Sequence, residues 1–304
     1  MALYKIDKKL TQIKDVSFKL EREIQRLTEE NLDVLLNLDF IKSEFTLNNF
    51  RIDTLAFDNE SKSFVIIEYK RDKTFSVIDQ GYAYLSLMLN NKADFILEYN
   101  ESKSKSLKRN DVDWSQSKVI FISPSFTNYQ REAINFKDLP IELWEIKKFE
   151  NNTLSFEQIQ KTIAKESIKT ISKTDEIIKE VTKEVIVFSE HDHLQKGEIE
   201  IQELYEQLKG RILNMDNDII IQPKKWYIAF KINKTNLCDI ELQKHKLKLY
   251  LNLKKGMLQD TKHISEDISN IGHWGNGDYL IKMSDDEDFD YILSLINQSL
   301  KKNK

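Results

Sequence analysis

Cysteine is nearly absent: Cys238 is the only one in 304 residues. A disulfide within the chain is excluded, and a cysteine-based zinc site is disfavoured. The surrounding TNLCDIEL reads as a strand, which makes Cys238 a small core residue and fits a reducing, cytoplasmic setting. Proline (3) and glycine (7) are scarce, which excludes collagen-like and proline-rich low-complexity architectures. Long apolar runs are missing as well. The longest, such as FVII, are strand-sized, far short of the ~20 residues of a membrane helix. The opening MALYKIDKKLTQIK lacks the apolar stretch of a secretory signal. Nor is there an excess of positive charge: 46 Lys and Arg stand against 50 Asp and Glu, a net charge of -4. Any nucleic-acid binding has to come from a local patch.

What is present suffices for a sizeable core, with 40% hydrophobic residues, and the length favours about two domains. Residues 17–37 read as one amphipathic helix with Leu20, Ile24, Leu27, Val34 and Leu35 on its stripe. IKSEFTL and FRIDTLAF read as strands, DNESKS as a turn, and FVIIEYK as a strand buried on both faces. TFSVIDQGYAYLSLMLNN returns to helical spacing. ADFILEY and KVIFISPSF read as strands with a polar loop between them, NYQREAINF as a short helix, and IELWEIKKFE and TLSFEQI as strands. This predicts a mixed α/β domain over 1–160. Residues 161–197, rich in Lys, Glu and Thr, read as a polar, partly helical linker. Residues 198–304 predict an α+β domain: a helix, an antiparallel meander from KWYIAFKI through KLKLYLNL, a glycine-rich turn with a strand, and a closing helix.

Charges stand where a sheet wants apolar surface. Asp53 interrupts FRIDTLAF, and Glu68 and Lys70 end the run of FVIIEYK. Alternation points Glu68 and Lys70 to one side and Tyr69 to the other. A short connection pairs the two strands antiparallel and brings Asp53 close to Glu68. Adjacent carboxylates repel unless a cation lies between them or one is protonated. A divalent ion such as Mg²⁺ or Mn²⁺ accepts such a pair, with the main-chain carbonyl of Tyr69 as a further candidate ligand. Lys70 then stands where it can assist an attacking water or stabilise charge on phosphorus. An exposed ion pair is the commoner meaning of Glu-x-Lys; the strand-turn-strand context favours chemistry. Glu23 and Glu30 lie about two turns apart near one face of the first helix, and either can reach toward the metal-bound water, Glu23 being favoured. Gln80 lies on the apolar stripe of Val77 and Tyr84 and must find polar partners.

The series of acidic helix, RID, IIEYK and QGYAYL resembles the PD-(D/E)XK nuclease superfamily. It looks closest to the catalytic domain of the mismatch- and junction-cutting DNA endonucleases. The resemblance covers roughly residues 15–150; Phe50 stands where the pattern often has Gly. It implies a restriction-endonuclease-like αβββαβ core and Mg²⁺- or Mn²⁺-dependent phosphodiester hydrolysis. It implies Asp53 and Glu68 as metal ligands, Lys70 as the catalytic lysine, Gln80 in support and Arg51 near the substrate. DNA is the implied partner, RNA the alternative, and a homodimer a family expectation. Arg71 and Lys73, and the loop bearing Lys108 and Arg109, are candidate phosphate contacts. A fold kept for binding without turnover is the rival reading.

Residues 198–302 resemble a small bacterial domain of unknown function that follows such nuclease domains, through LYEQLK, KWYIAFK, HKLKLYLNL and IGHWGNGDYLIKM. Lys224, Trp226 and Lys246 suggest a basic, aromatic sheet face suited to nucleic acid, against an ordinary sheet with one wet face. His273 and Trp274, on a turn rich in glycine, either cap a ligand that regulates the nuclease or hold the turn by packing, with packing favoured. His191-Asp192-His193 reads as helix-start polarity rather than as a metal site.

Overall fold

A computed structural model describes residues 2–71, 75–136, 138–161, 166–171 and 175–303. The chain divides into two compact units, Met1–Val187 and Phe188–Lys304.

Unit 1 begins with a hairpin of β1 (Leu3–Ile6) and β2 (Leu10–Ile13), followed by β3 (Asp15–Val16). Next come α1 (Glu21–Glu29) and α2 (Leu32–Leu36). The single helix expected over 17–37 is broken at Asn31, whose side-chain amide donates to the carbonyl of Leu27 at 2.8 Å and competes with the helical ladder. Then follow β4 (Asp39–Leu47), β5 (Phe50–Asp58) and β6 (Ser63–Tyr69), an antiparallel meander. α3 (Val77–Asn90), started by Ser76 accepting from the Asp79 N–H, and α4 (Lys92–Lys103) cross over to β7 (Lys118–Ser123), parallel to β6. α5 (Asn128–Ala133) leads to β8 (Ile141–Phe149), parallel to β7, and β9 (Leu154–Gln158) pairs β8. The sheet runs β3-β8-β7-β6-β5-β4.

Every residue of β6 is buried because both faces are covered. Leu55, Phe57, Phe64 and Ile66 pack with Val77, Leu85 and Met88 of α3 on one face. Ala56, Val65, Ile67 and Tyr69 pack with Ile24 of α1 on the other.

Two expectations fail here. ADFILEY lies in helix α4, not in a strand: Phe95 and Tyr99, one turn apart, bury together against Phe57 and Phe64. The expected linker does not separate the units at 161–197. Its first part carries α6 (Ile168–Ile171) and α7 (Glu176–Glu184), and Ile168, Ile178, Val181 and Val185 join the core of unit 1. Residues 162–165 and 172–174 of that segment lie outside the described ones. The remainder belongs to unit 2. A sparse apolar stripe was enough to dock the segment, although its composition is that of a solvated chain.

Unit 2 contains α8 (Glu190–Leu194), α9 (Ile199–Leu213), β10 (Ile220–Pro223), β11 (Ile228–Ile232), β12 (Thr235–Gln243), β13 (Lys246–Leu251), β14 (Ser265–Asp267), β15 (Tyr279–Met283) and α10 (Phe289–Asn303). Its antiparallel sheet runs β10-β11-β12-β13-β15-β14, and α9 and α10 bury Leu204, Leu208, Leu295 and Ile296 with its strands. Cys238 lies in that core, its thiol pushed well above the usual range by burial. Ser189 and Asp192 exchange hydrogen bonds at the start of α8, the capping role expected for that polar stretch.

The glycine-rich turn before β15 is sterically committed. At Gly277, φ is +92° and a Cβ would stand 1.8 Å from the Leu251 carbonyl oxygen. Gly277→Ala should cost roughly 2 kcal/mol or more, read as a lower midpoint in chemical denaturation. An unchanged midpoint would mean that the turn is not held as described.

Among the described residues no helix is long and apolar enough to cross a membrane.

Candidate active site

The β5–β6 register pairs Thr54 with Ile67 and Leu55 with Ile66. One step further along, Asp53 and Glu68 face each other on the side of Leu55 and Ile66. Asp53 is half-buried, and its Oδ2 accepts the Tyr69 N–H at 3.0 Å. Glu68 is 4% exposed. Its Oε1 accepts from Lys70 Nζ at 2.7 Å and from Gln80 Nε2 at 3.0 Å. Its Oε2 is buried and has no hydrogen-bond partner among the described residues.

Local structure explains each placement. Lys70 shares the side of Glu68 by strand alternation, and its N–H bonds the Ile122 carbonyl at 2.9 Å, which carries β6's pairing with β7 past Tyr69. Its ammonium also lies 5.7 Å from the centroid of the Phe75 ring. Gln80 is carried in by the first turn of α3. Its amide also donates to the Tyr84 hydroxyl at 3.2 Å, and that hydroxyl donates to the Arg51 carbonyl at 3.4 Å. Burial first, and then the charge of Glu68, push the Asp53 carboxyl up to about 6, against the opposing pull of the Tyr69 N–H and Lys70. Burial and the same Glu68 charge hold the Tyr84 phenol above its usual range.

A carboxyl with a raised pKa beside a buried carboxylate, one of whose oxygens has no partner among the described residues, is a site short of positive charge. Among the described residues no group of three His, Cys, Asp or Glu side chains gathers as a metal cage. Asp53 and Glu68 together offer two carboxylates, a donor set that would suit a Mg²⁺-type ion keeping most of its waters.

Asp53, Glu68, Lys70 and Gln80 come together; other expected residues do not. Glu23 accepts from Lys148 Nζ at 3.2 Å and from the Lys19 N–H at 3.1 Å, and that backbone bond lowers its carboxyl pKa most, burial opposing. Glu30 is paired with Arg26 at 3.4 Å on the surface. The reason is tertiary: α1 covers the Tyr69 face, while Asp53 and Glu68 lie on the α3 face. The α1 residues that reach the hairpin are Gln25, whose amide donates to the Asp53 carbonyl at 2.9 Å, and Glu29, which accepts from Thr54 Oγ1 at 2.5 Å. Their signal was polar groups beside Ile24 on the buried side of the helix. Tyr84 was legible only as a stripe residue; its i, i+4 spacing from Gln80 was the available clue.

Arg51 is exposed and paired with Glu44 at 2.9 Å. Arg71 donates its N–H to Glu21 at 2.9 Å and its guanidinium to the Lys19 carbonyl, tying the end of β6 to the start of α1. Lys73 lies outside the described residues. Lys108 and Arg109 are at the wrong end of the sheet. Their loop is fastened by the Asp113 N–H to the Lys62 carbonyl, in the β5–β6 turn, roughly 20 Å along β6 from Glu68 at ~3.3 Å per residue.

In unit 2, Trp226 and Trp274 stack with ring centroids 4.8 Å apart and planes 20° apart. His273 is not presented to a ligand: Nδ1 lies 2.7 Å from the Ile271 carbonyl and Nε2 2.9 Å from that of Gly277. It holds the turn. Lys224 precedes the Trp226 segment, and its N–H bonds the Tyr227 carbonyl at 2.8 Å. Lys246 sits at the far end of β13 from Leu251, against which Gly277 packs. Lys248, two residues on from Lys246 and on the same side of β13, is paired with Glu241 at 3.5 Å.

Residues 190–302 match the family described as Domain of unknown function (DUF5655). The chain is 52% identical over 292 residues to an uncharacterized protein of Haemophilus influenzae, covering 96% of each. Similar solved structures include a repair endonuclease from Pyrococcus abyssi, at 14% identity and a TM-score of 0.23, over 44% of this chain and 60% of that one. EndoMS in apo form matches at 13% identity and a TM-score of 0.25, over 43% and 58%. EndoMS bound to double-stranded DNA matches at 12% and 0.21, over 42% and 57%. This chain thus spans little more than half the length of those endonucleases, and the folds do not superpose closely.

Proposed function

Since the chain belongs to one family with the Haemophilus influenzae protein, and carries the carboxylate site on its own residues, we propose that it is a divalent-metal-dependent nuclease acting on DNA. The observation that carries this reading is Glu68: one carboxylate oxygen receives Lys70 and Gln80, and the other is buried beside Asp53 with no partner among the described residues. The succession of α1, the β4–β6 meander, α3 and β7 supports a restriction-endonuclease-like αβββαβ core, as does the resemblance of RID, IIEYK and QGYAYL to the PD-(D/E)XK superfamily.

Asp53 and Glu68, with the Tyr69 main-chain carbonyl, would hold Mg²⁺ or Mn²⁺. When bound, such an ion supplies charge neutralisation and a more acidic water. The chain's own residues do the rest. Gln80 fixes the Glu68 carboxylate through Oε1. Lys70 Nζ, on the same oxygen, presents N–H groups toward a phosphodiester oxygen and stabilises the negative charge that builds there. Asp53 is kept aligned by the Tyr69 N–H, and its raised carboxyl, at about 6, gives up its proton below neutral pH.

The test is cleavage of single-stranded, double-stranded, mismatched and branched DNA, and of RNA, with Mg²⁺, with Mn²⁺ and with chelator, beside Asp53→Ala. Cutting of at least one DNA form, dependent on metal and on Asp53, is the expected result. Binding with no cutting under any condition would replace the nuclease by a binding protein; cutting of RNA alone would change the substrate.

A further inference from the structure

Trp226 and Trp274 remain unexplained by the nuclease chemistry. Indole is large and apolar, and Trp side chains normally bury ~150–250 Å². Trp114 and Trp144 behave that way, stacking on Phe64 and Phe156. Trp226 and Trp274 are instead 40% and 63% exposed while stacked on each other.

The display is built, not accidental. Asp239 is fully buried, and it accepts the Asn276 N–H at 2.6 Å and the Asn276 amide at 2.8 Å. The same amide reaches the Tyr227 hydroxyl at 3.1 Å, which ties the segment carrying Trp226 to the turn carrying Trp274. Gly275 lies so close to Tyr250 that a Cβ would meet its ring at 2.3 Å, and His273 stacks on the same ring at 5.9 Å. A turn held from so many sides presents Trp274 in one orientation, so a ligand loses little entropy in ordering it. A cation flanks the pair: Lys225 Nζ stands 5.3 Å from the Trp226 ring centroid.

We infer that the Trp226–Trp274 pair of unit 2 is a stacking platform for an unpaired nucleobase of a single-stranded nucleic acid, with Lys225 beside the adjoining phosphate. The outer indole face continues the stack onto a base, and aromatic faces accept any base without reading sequence. The inference takes its ligand class from the nuclease reading of unit 1, but its test is independent of cleavage.

The intact chain is titrated in chelator with a thymidine oligonucleotide and with a duplex of equal length, following tryptophan fluorescence. Quenching by the single strand is expected. Trp274→Ala should remove most of it and weaken binding roughly tenfold, the scale of one base stack. Trp274→Phe should retain affinity, which separates loss of stacking from loss of fold. Equal binding by wild type and Trp274→Ala would overturn the inference even if the chain cuts DNA. Quenching and its loss in Trp274→Ala would sustain it even if no cleavage occurs. Concentration-dependent self-association that Trp274→Ala abolishes, without any oligonucleotide effect, would assign the pair to a second copy of the chain and reject the base.

Discussion

Lys70→Ala is expected to lower phosphodiester cleavage by roughly 10²–10³-fold, the scale of one lost electrostatic stabiliser. The ammonium is within 2.7 Å of Glu68 Oε1, and the pair is largely shielded, with Lys70 20% and Glu68 5% exposed at the side chain. Its removal leaves a buried carboxylate facing Asp53, with Gln80 as its remaining donor among the described residues. Stability should fall as well, by about 3 kcal/mol, the scale for stripping one partner from a buried ion pair. Activity and stability separate in the double variant Lys70→Ala/Glu68→Gln. A neutral amide no longer needs the ammonium, so the unfolding free energy should recover much of the loss while cleavage falls further, to nothing detectable. Cleavage is read as kcat/KM on whichever DNA form the wild type cuts, and stability by denaturant titration. A Lys70→Ala protein that cuts as wild type does would remove the lysine from the mechanism. A double variant no more stable than the single one would show that Lys70 contributes through packing on Phe75 and not through charge.

Asp53→Asn should stabilise the metal-free chain above pH 6 while eliminating cleavage. The sign follows from the raised carboxyl. In the unfolded chain Asp53 has its ordinary value of 3.8, and in the folded chain about 6. Between these values the folded state holds a proton that the unfolded state has lost, so stability falls as pH rises through the window and levels off above it. The full effect is about 3 kcal/mol, less the part screened by water at this half-buried position. The wild type should therefore lose unfolding free energy from about pH 4 to pH 6 relative to Asp53→Asn, whose curve lacks this contribution. Added Mg²⁺ should restore stability to the wild type alone. Below pH 6, binding of the ion should release a proton, measurable as a buffer-dependent heat in calorimetry. Parallel pH profiles for the two proteins would mean that burial beside Glu68 does not raise the Asp53 carboxyl and would weaken the two-carboxylate site.

Much of the site was legible because it is written in short periods. Strand alternation set Glu68 and Lys70 on one side, a short hairpin connection brought Asp53 to them, and a glutamine on an apolar helical stripe marked Gln80. The acidic helix misled because periodicity identifies an apolar stripe but not the sheet face that the stripe will cover. Glu23 and Glu30 thus lie across the sheet from the site, while Gln25 and Glu29 touch the hairpin. Lys108 and Arg109 misled because a loop's charge says nothing about which end of a parallel crossover it occupies. α4 was mistaken for a strand because a short apolar run fits either period, and its meaning came from Phe95 and Tyr99 meeting Phe57 and Phe64.

By itself the sequence determined much of the local order: most of the strands and helices, which side chains share a strand face, and that a carboxylate pair with a lysine ends a buried run. Those features depend on neighbours a few residues apart, where backbone geometry leaves little choice. Only the tertiary structure decided that α1 packs on the far face, that the segment around Ile178 and Val181 docks on unit 1, and that Trp226 meets Trp274 in the open. Each is a contact between distant segments, set by which apolar surfaces find one another when the chain closes, and no local period encodes that choice.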